Sequence, residues 1–154
     1  MGLERIESEM RLYVTYLDDL CALCKERSEL KMQMLTDPYN VSSPRIKSSE
    51  EAKYKESPKV FTIDSMLNYI EKNTERQKKI EKLNTEIKFK IEFCNRMMSR
   101  IYLLEDEEIE ILGYRYFQCL TFREIAHLLN YQVSATFYKV DNILSRLSNF
   151  ENVH

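Results

Sequence analysis

The sequence predicts an all-α protein, and three observations carry that prediction. Glycine occurs only twice and proline only three times among the 154 residues, which leaves few residues for the tight turns of a sheet protein. Apolar residues recur at spacings of three and four along most of the chain, which is the period of an amphipathic helix. Because 44% of the residues are hydrophobic and 31% are charged, the chain is too apolar to be disordered throughout.

Residues 1–35 carry a heptad-like stripe that predicts one long amphipathic helix. The stripe consists of Leu3, Ile6, Met10, Tyr13, Leu17, Leu20 and Cys24. An intermolecular coiled coil and an intramolecular helical hairpin both fit this spacing, and both alternatives stay open. Cys21 and Cys24 would supply at most half of a zinc site, and no second ligand pair of suitable spacing follows them. We therefore expect reduced thiols and no bound metal.

A polar segment and a second long helix follow. Residues 36–60 are rich in serine and proline, a composition typical of a linker. Apolar residues then return at helical spacing over residues 61–103. The stripe is interrupted between Glu71 and Lys79, where we expect the helix to be exposed or kinked. The basic residues between Lys72 and Lys90 fit either a solvated helix face or a surface that contacts phosphates.

Residues 104–150 predict a compact unit of three short helices. Acidic residues at 105–108 precede an apolar run, and such acids favour a helix start because of the helix dipole. Thr121 and Glu124 have the spacing of a capping box, which starts a second helix. Asn130 can adopt the left-handed backbone that ends it. With small Ala126 buried in that helix, a third helix can cross closely, as a helix-turn-helix requires.

The third helix is expected to start near Ser134 and to end near Leu147. Ser134 or a neighbouring residue would cap its start. Val140, Leu144 and Leu147 would then face the core. Tyr138, Lys139 and Asn142 would face outward.

The same C-terminal residues resemble a known group of proteins. The match consists of residues 104–112 (LEDEEIEIL), 115–117 (RYF), 120–131 (LTFREIAHLLNY) and 136–139 (TFYK). They resemble the C-terminal module of phage transcriptional activators of the RinA and ArpU type. That module is similar to the part of sigma factors that recognises the promoter −35 element. The order of a short helix, a linker and a long helix extends the resemblance loosely over most of the chain.

This chain departs from the family pattern at its turns. Cys119 and Asn130 stand where the pattern commonly has glycine. The turn after Tyr131 fits the pattern either without a gap or with one inserted residue. An insertion would bury Phe137 and expose Thr136, and we favour it because exposing a phenylalanine loses about 2 kcal/mol of transfer free energy.

The resemblance implies a sequence-specific DNA-binding regulator of a phage or prophage. It would activate late or packaging genes in the cytoplasm of the bacterial host cell by recruiting RNA polymerase to a promoter. Side chains of suitable chemistry for contacts to bases or phosphates are Arg123, Ser134, Thr136, Tyr138, Lys139, Asn142 and Arg146. His127 is expected to be exposed without a special role.

The charge balance sets a limit on DNA affinity. Residues 105–154 contain four basic and eight acidic side chains, a net charge of −4, and we expect the acids at 105–110 to lie at the far end of the unit. Residues 111–147 contain four basic and two acidic side chains, a net charge of +2. Because phosphate contacts supply most non-specific affinity, one copy should bind DNA weakly. We therefore expect a homo-oligomer, with a dimer favoured.

Two other functions stay open. The chain could be an adaptor that docks on RNA polymerase or a sigma factor without binding DNA, or a small terminase subunit that assembles into rings. An enzyme is not expected, because no paired carboxylates, thiol–histidine set or metal cluster emerges, and no cofactor is implied. A membrane protein is not expected either, since no apolar run approaches the roughly 18 to 20 residues of a membrane span.

Overall fold

The computed structural model describes residues 2–36 and 62–150, and the all-α class is confirmed over these residues. The helices are α1 (Gly2–Thr36), α2 (Ile63–Ile101), α3 (Asp106–Leu112), α4 (Phe122–Leu129) and α5 (Val133–Asn149), with a π-helical turn (Gly113–Phe117) after α3. No strand occurs in the two described ranges. Among the described helices, none combines the length and the apolar character that crossing a bilayer requires. The predicted linker lies, apart from Thr36, outside the described residues.

The chain divides into two compact units, and α1 and α2 each contribute to both. Unit 1 consists of Met1–Cys21 and Lys88–His154, and unit 2 consists of Ala22–Ile87. Unit 2 contains the second half of α1 and the first part of α2. There Ile80, Leu83 and Ile87 are buried, and the Arg27 guanidinium donates to the Asn84 side chain at 3.0 Å.

The predicted interruption of the apolar stripe falls within unit 2. Helix α2 continues unbroken through residues 71–79, and most of these side chains are exposed. Of the two expectations for this stretch, an exposed helix or a kinked one, the structure shows the exposed helix. A polar surface on every side gives these turns little to pack against, so their helical geometry is supported mainly by the continuous backbone hydrogen bonds.

In unit 1, α1 and α2 form an antiparallel helical hairpin within one chain. Arg100 donates to the Glu9 carboxylate at 2.8 Å, and Lys90 donates to Asp19 at 2.9 Å. The partner of Glu9, early in α1, is late in α2, which is the antiparallel order. The hairpin is one of the two alternatives that the heptad-like stripe left open.

The core of unit 1 joins the hairpin to the C-terminal helices. Its buried members are Ile6, Met10, Tyr13, Cys94, Met97, Leu104, Ile111, Leu112, Tyr116, Val140, Ile143, Leu144 and Leu147. The first half of α1 thus packs in the same cluster as α3 and α5. Each such side chain contributes about 1.5–3 kcal/mol of transfer free energy when it leaves water.

A buried tyrosine also links α1 to the π-helical turn. The Tyr116 hydroxyl lies 3.5 Å from the Glu7 carboxylate, and the Arg11 guanidinium lies 5.7 Å from the centre of the Tyr116 ring. Burial, together with the nearby Glu7 carboxylate, raises the pKa of Tyr116 to about 12. The hydroxyl therefore keeps its proton at neutral pH and donates a hydrogen bond to Glu7.

The shared core makes a testable prediction about α1. Met10 is 0% exposed, whereas Met32 on the same helix is 56% exposed. Met10→Ala should lower the free energy of unfolding by about 2–5 kcal/mol, because it leaves a cavity in the core. Met32→Ala should change it by less than about 0.5 kcal/mol. Urea unfolding followed by circular dichroism measures both, and equal effects of the two variants would contradict the packing described for Met10.

Candidate nucleic-acid interface

Helix α4 begins and ends as the sequence predicts. The Thr121 hydroxyl accepts a hydrogen bond from the Glu124 amide at 3.2 Å, and the Glu124 carboxylate accepts one from the Thr121 amide at 2.9 Å. Asn130 has the left-handed backbone, with φ of 58°, and the Tyr131 amide donates to the Ala126 carbonyl at 2.9 Å. Ala126 is buried, as expected. The cap and the left-handed stop together limit α4 to Phe122–Leu129.

The turn before α4 uses the left-handed backbone as well. Cys119 has φ of 55°, and the Leu120 amide after it donates to the Tyr114 carbonyl at 2.9 Å. The Arg115 guanidinium donates to the Leu120 carbonyl at 3.1 Å. Cys119 thus keeps the conformation for which glycine is the usual residue, and two hydrogen bonds to Leu120 hold the turn.

Helix α5 follows α4 after only Asn130, Tyr131 and Gln132. Its N-cap residue is Gln132, whose side chain makes no capping hydrogen bond, so Ser134 is not the cap. The helix ends at Asn149 instead of near Leu147. Val140, Leu144 and Leu147 are buried, which confirms the predicted inward face.

The expected positions of Thr136 and Phe137 were wrong. Thr136 is 1% exposed and Phe137 is 44% exposed, so the pattern fits without an inserted residue. Burying Thr136 costs little free energy, because its hydroxyl donates a hydrogen bond to the Gln132 carbonyl at 3.1 Å. With its hydroxyl bonded and its side chain buried, Thr136 is not available to contact DNA in this conformation.

Three of the other candidate residues form one exposed line along α5. Ser134, Tyr138 and Asn142 follow one another at intervals of four residues, which places them on one side of the helix. Tyr138 is 66% exposed. Arg123 is exposed in the first turn of α4. Among the described residues, Arg123, Ser134 and Asn142 have no hydrogen-bond or ion-pair partner, so their polar groups are free for a ligand.

Lys139, by contrast, is engaged within the chain. Its amino group donates to the Glu107 carboxylate at 3.0 Å and lies 3.1 Å from the Tyr131 hydroxyl and 4.3 Å from the centre of that ring. The Tyr131 hydroxyl donates to the same carboxylate. The hydrogen bond from Tyr131, followed by that from Lys139, holds the pKa of the Glu107 carboxyl below its usual value. The hydrogen bonds to Tyr131 and Glu107 raise the pKa of Lys139, so the pair is charged throughout the neutral pH range.

Arg146 is engaged in the same way, because its guanidinium donates to the Glu108 carboxylate. The expectation that the acidic stretch lies at the far end of the unit was therefore wrong. The start of α3 contacts the flank of α5 that carries Lys139 and Arg146. Residues 24 to 38 positions apart form these contacts, and no local sequence pattern could reveal them.

The opposite flank of α5 carries an ordered group of aromatic rings. The Phe137 ring meets the Phe122 ring edge-on, at 5.3 Å between centres and 74° between planes. Tyr138 meets Phe137 in a similar way at 5.9 Å. The Arg115 guanidinium lies over the Phe122 ring, 4.1 Å from its centre. Phe137 was not predicted as a surface residue, although its outward position follows from the alignment without a gap.

The rest of the described surface carries fewer groups that could bind a ligand. His127 is exposed, as expected. Within the basic run, Lys90 pairs with Asp19, while Lys72, Arg76 and Lys79 line a shallow groove together with Glu75. All four cysteines are free thiols. In the part of the chain that the structure describes, no three histidine, cysteine or acidic side chains converge as metal ligands.

Comparison of this chain with protein-family models, with curated proteins and with solved structures gives no match in any of the three.

The left-handed turn at Cys119 makes a second testable prediction. Cys119→Gly and Cys119→Ala both remove the thiol, which donates weakly to the Tyr116 carbonyl at 3.8 Å. Only glycine adopts the positive φ without steric cost, so Cys119→Gly should be more stable than Cys119→Ala by about 1 kcal/mol. Chemical unfolding of both variants measures the difference. An alanine variant as stable as the glycine variant would show that this turn carries no strain.

Proposed function

We propose that this protein is a sequence-specific regulator of transcription that binds double-stranded DNA. Helix α5 would enter the major groove as the recognition helix of a helix-turn-helix, and α4 would cross the phosphate backbone. The observation that carries the proposal is the exposed line of Ser134, Tyr138 and Asn142 on a helix whose other side is buried. The short α4–α5 connection supports it.

The resemblance to phage activators supports a more specific role. On that basis the protein activates late or packaging genes of a phage or prophage by binding a promoter and contacting RNA polymerase. The exposed polar residues 71–79 of α2 are available for a contact to polymerase or to a second copy. A dimer would place two recognition helices on two half-sites of one duplex.

Each exposed residue has a role that its chemistry suits. The Asn142 amide matches the donor–acceptor pair of adenine in the major groove. Arg123, which has no partner in the described residues, suits a backbone phosphate. Ser134 and Tyr138 suit a phosphate oxygen or a base edge. Thr136 has no part in this proposal, because it is buried.

The ion pairs of Lys139 and Arg146 set the electrostatics of binding. Exposed ion pairs contribute little to stability, so a phosphate can replace the carboxylate at low cost in folding free energy. The exchange nevertheless leaves Glu107 and Glu108 near a polyanion. Binding by one copy is therefore weak and dependent on salt concentration, which supports a dimer as the functional state.

An adaptor that docks on polymerase or a sigma factor without binding DNA is the second candidate. The observation that favours it is the same pairing, because the two cations of α5 are already neutralised by Glu107 and Glu108. Salt-dependent binding to a duplex separates the two functions. A protein that binds polymerase but shows no affinity for any duplex is the adaptor.

The proposed role of α5 predicts the effect of one amide. Asn142→Ala should weaken binding to the preferred duplex by about 1–3 kcal/mol and relax the base preference at one position. Asn95→Ala, which changes an exposed asparagine of α2, is the matched control and should leave affinity unchanged. Footprinting on the DNA around the protein's own gene measures both. Equal protection by the Asn142 variant and the wild type would remove the assigned role of this helix.

The ion pair to Lys139 predicts that removing an acid strengthens DNA binding. Glu107→Gln should release the Lys139 ammonium for a phosphate and make the slope of log affinity against log salt concentration steeper by about 1. Glu92→Gln removes an equal charge from an exposed position on α2 without releasing a cation. It should leave the slope unchanged. Titrations of a labelled duplex at several salt concentrations test this, and identical slopes for the two variants would refute it.

A further inference from the structure

The exposed face of α5 carries polar and apolar side chains, and its two basic side chains are paired within the chain. Its two cations, Lys139 and Arg146, are bound to carboxylates of α3. Arginine and lysine are the usual partners of guanine in the major groove, so these two side chains would contact guanine only after giving up their carboxylate partners. The exposed uncharged side chains of α5 and its N-cap are Gln132, Val133, Ser134, Ala135, Phe137, Tyr138, Asn142 and Asn149. Asp141 is partly exposed.

These neutral groups match the chemistry of A·T pairs. Asparagine and glutamine amides pair with the N6 and N7 atoms of adenine, and Asn142 and Gln132 supply such amides. Phenylalanine and alanine make apolar contact with the 5-methyl group of thymine, and Phe137 and Ala135 supply such surfaces. No other apolar group protrudes from the major-groove edges of the bases.

Phe137 is the largest wholly apolar side chain among these exposed residues of α5. It is 44% exposed, although a phenylalanine gains transfer free energy when it leaves water. Its orientation is fixed, because the Phe122 ring contacts it edge-on from α4 and Arg115 in turn covers Phe122. Asp141 follows Phe137 by one turn on the same flank. The Asp141 carboxylate repels phosphates, so this flank is unsuited to the DNA backbone, and Phe137 is the apolar group there that can meet a base edge.

We infer that α5 recognises an A·T-rich half-site in which Phe137 packs against the 5-methyl group of a thymine. The inference rests on the proposed DNA-binding function and adds its ligand class. Phe137 is then the residue that distinguishes thymine from a base of the same hydrogen-bonding pattern without the methyl group. Deoxyuridine is that base, because it differs from thymidine in the methyl group alone.

The experiment uses the full chain in two steps. A pool of duplexes with a random central segment is first enriched by binding to the protein, and the enriched sequences should be rich in A·T pairs. The preferred duplex is then made with thymine and, in a second version, with deoxyuridine at every thymine position. The deoxyuridine duplex should bind about fourfold more weakly for each methyl group that the protein contacts.

Two variants assign the effect to Phe137. Phe137→Ala should bind the two duplexes with a smaller ratio, lower than that of the wild type by about fourfold for the one methyl contact it has lost. Phe89→Ala, which changes another exposed phenylalanine on α2, is the control and should keep the full ratio. Phe137→Leu keeps an apolar side chain and should keep most of the ratio. Circular dichroism confirms that all three variants are folded.

The outcomes separate the inference from the function on which it rests. If no duplex is enriched, the proposed DNA-binding function fails. If a duplex is enriched but the thymine and deoxyuridine versions bind equally, or if the enriched duplexes are rich in G·C pairs, DNA binding stands and the inference fails. If Phe137→Ala keeps the same ratio as the wild type, another residue contacts the methyl group and the assignment to Phe137 is wrong.

Discussion

The packing of α1 into the C-terminal helices is the constraint on which the rest of the molecule depends. Ile6 and Met10 lie in the same buried cluster as Leu144 and Leu147, so the helix that carries the candidate interface is positioned by residues more than 130 positions away in the sequence. Three short helices of the size of α3, α4 and α5 would bury little surface alone. With α1 and the end of α2 packed against them, they share one core, and α5 presents a defined face to solvent.

A second constraint acts on the surface of that unit. Lys139 and Arg146 lie two turns apart on one flank of α5, and the start of α3 places a carboxylate at each of them. The pairs are exposed and so contribute little to stability, but they remove two cations from the surface on which a polyanion would dock. The same acids favour the start of α3, where the Glu108 carboxylate also accepts a hydrogen bond from the Glu105 amide at 3.1 Å. The acidic residues that favour the start of α3 therefore also neutralise cations of α5, which is distant in the sequence.

The sequence predicted local structure well and long-range contacts poorly. The capping box at Thr121, the left-handed Asn130 and the inward face of α5 follow from neighbours within a few residues, and the structure has all three. The placement of Phe137 failed because burial was judged from the side chain alone. Thr136 satisfies its hydroxyl on the preceding turn and is buried at little cost, while Phe137 rests against Phe122 at the surface. The partners of Lys139 and Arg146 depend on the crossing of α3 and α5, which no helical periodicity contains.

Under the proposed function, these features assign DNA affinity and base specificity to different parts of α5. The paired flank of α5 governs how strongly the helix is attracted to any polyanion, because each freed cation adds one phosphate contact. The neutral line and the aromatic flank carry no net attraction to phosphate, and they discriminate only after the helix lies against base edges. Under the proposed function, a domain built this way would bind non-specific DNA weakly, and it would be less readily retained on the many competing sites of a genome. Its occupancy of a true site would then depend on base contacts and on two linked copies, because a second linked contact makes binding far tighter than one copy achieves alone.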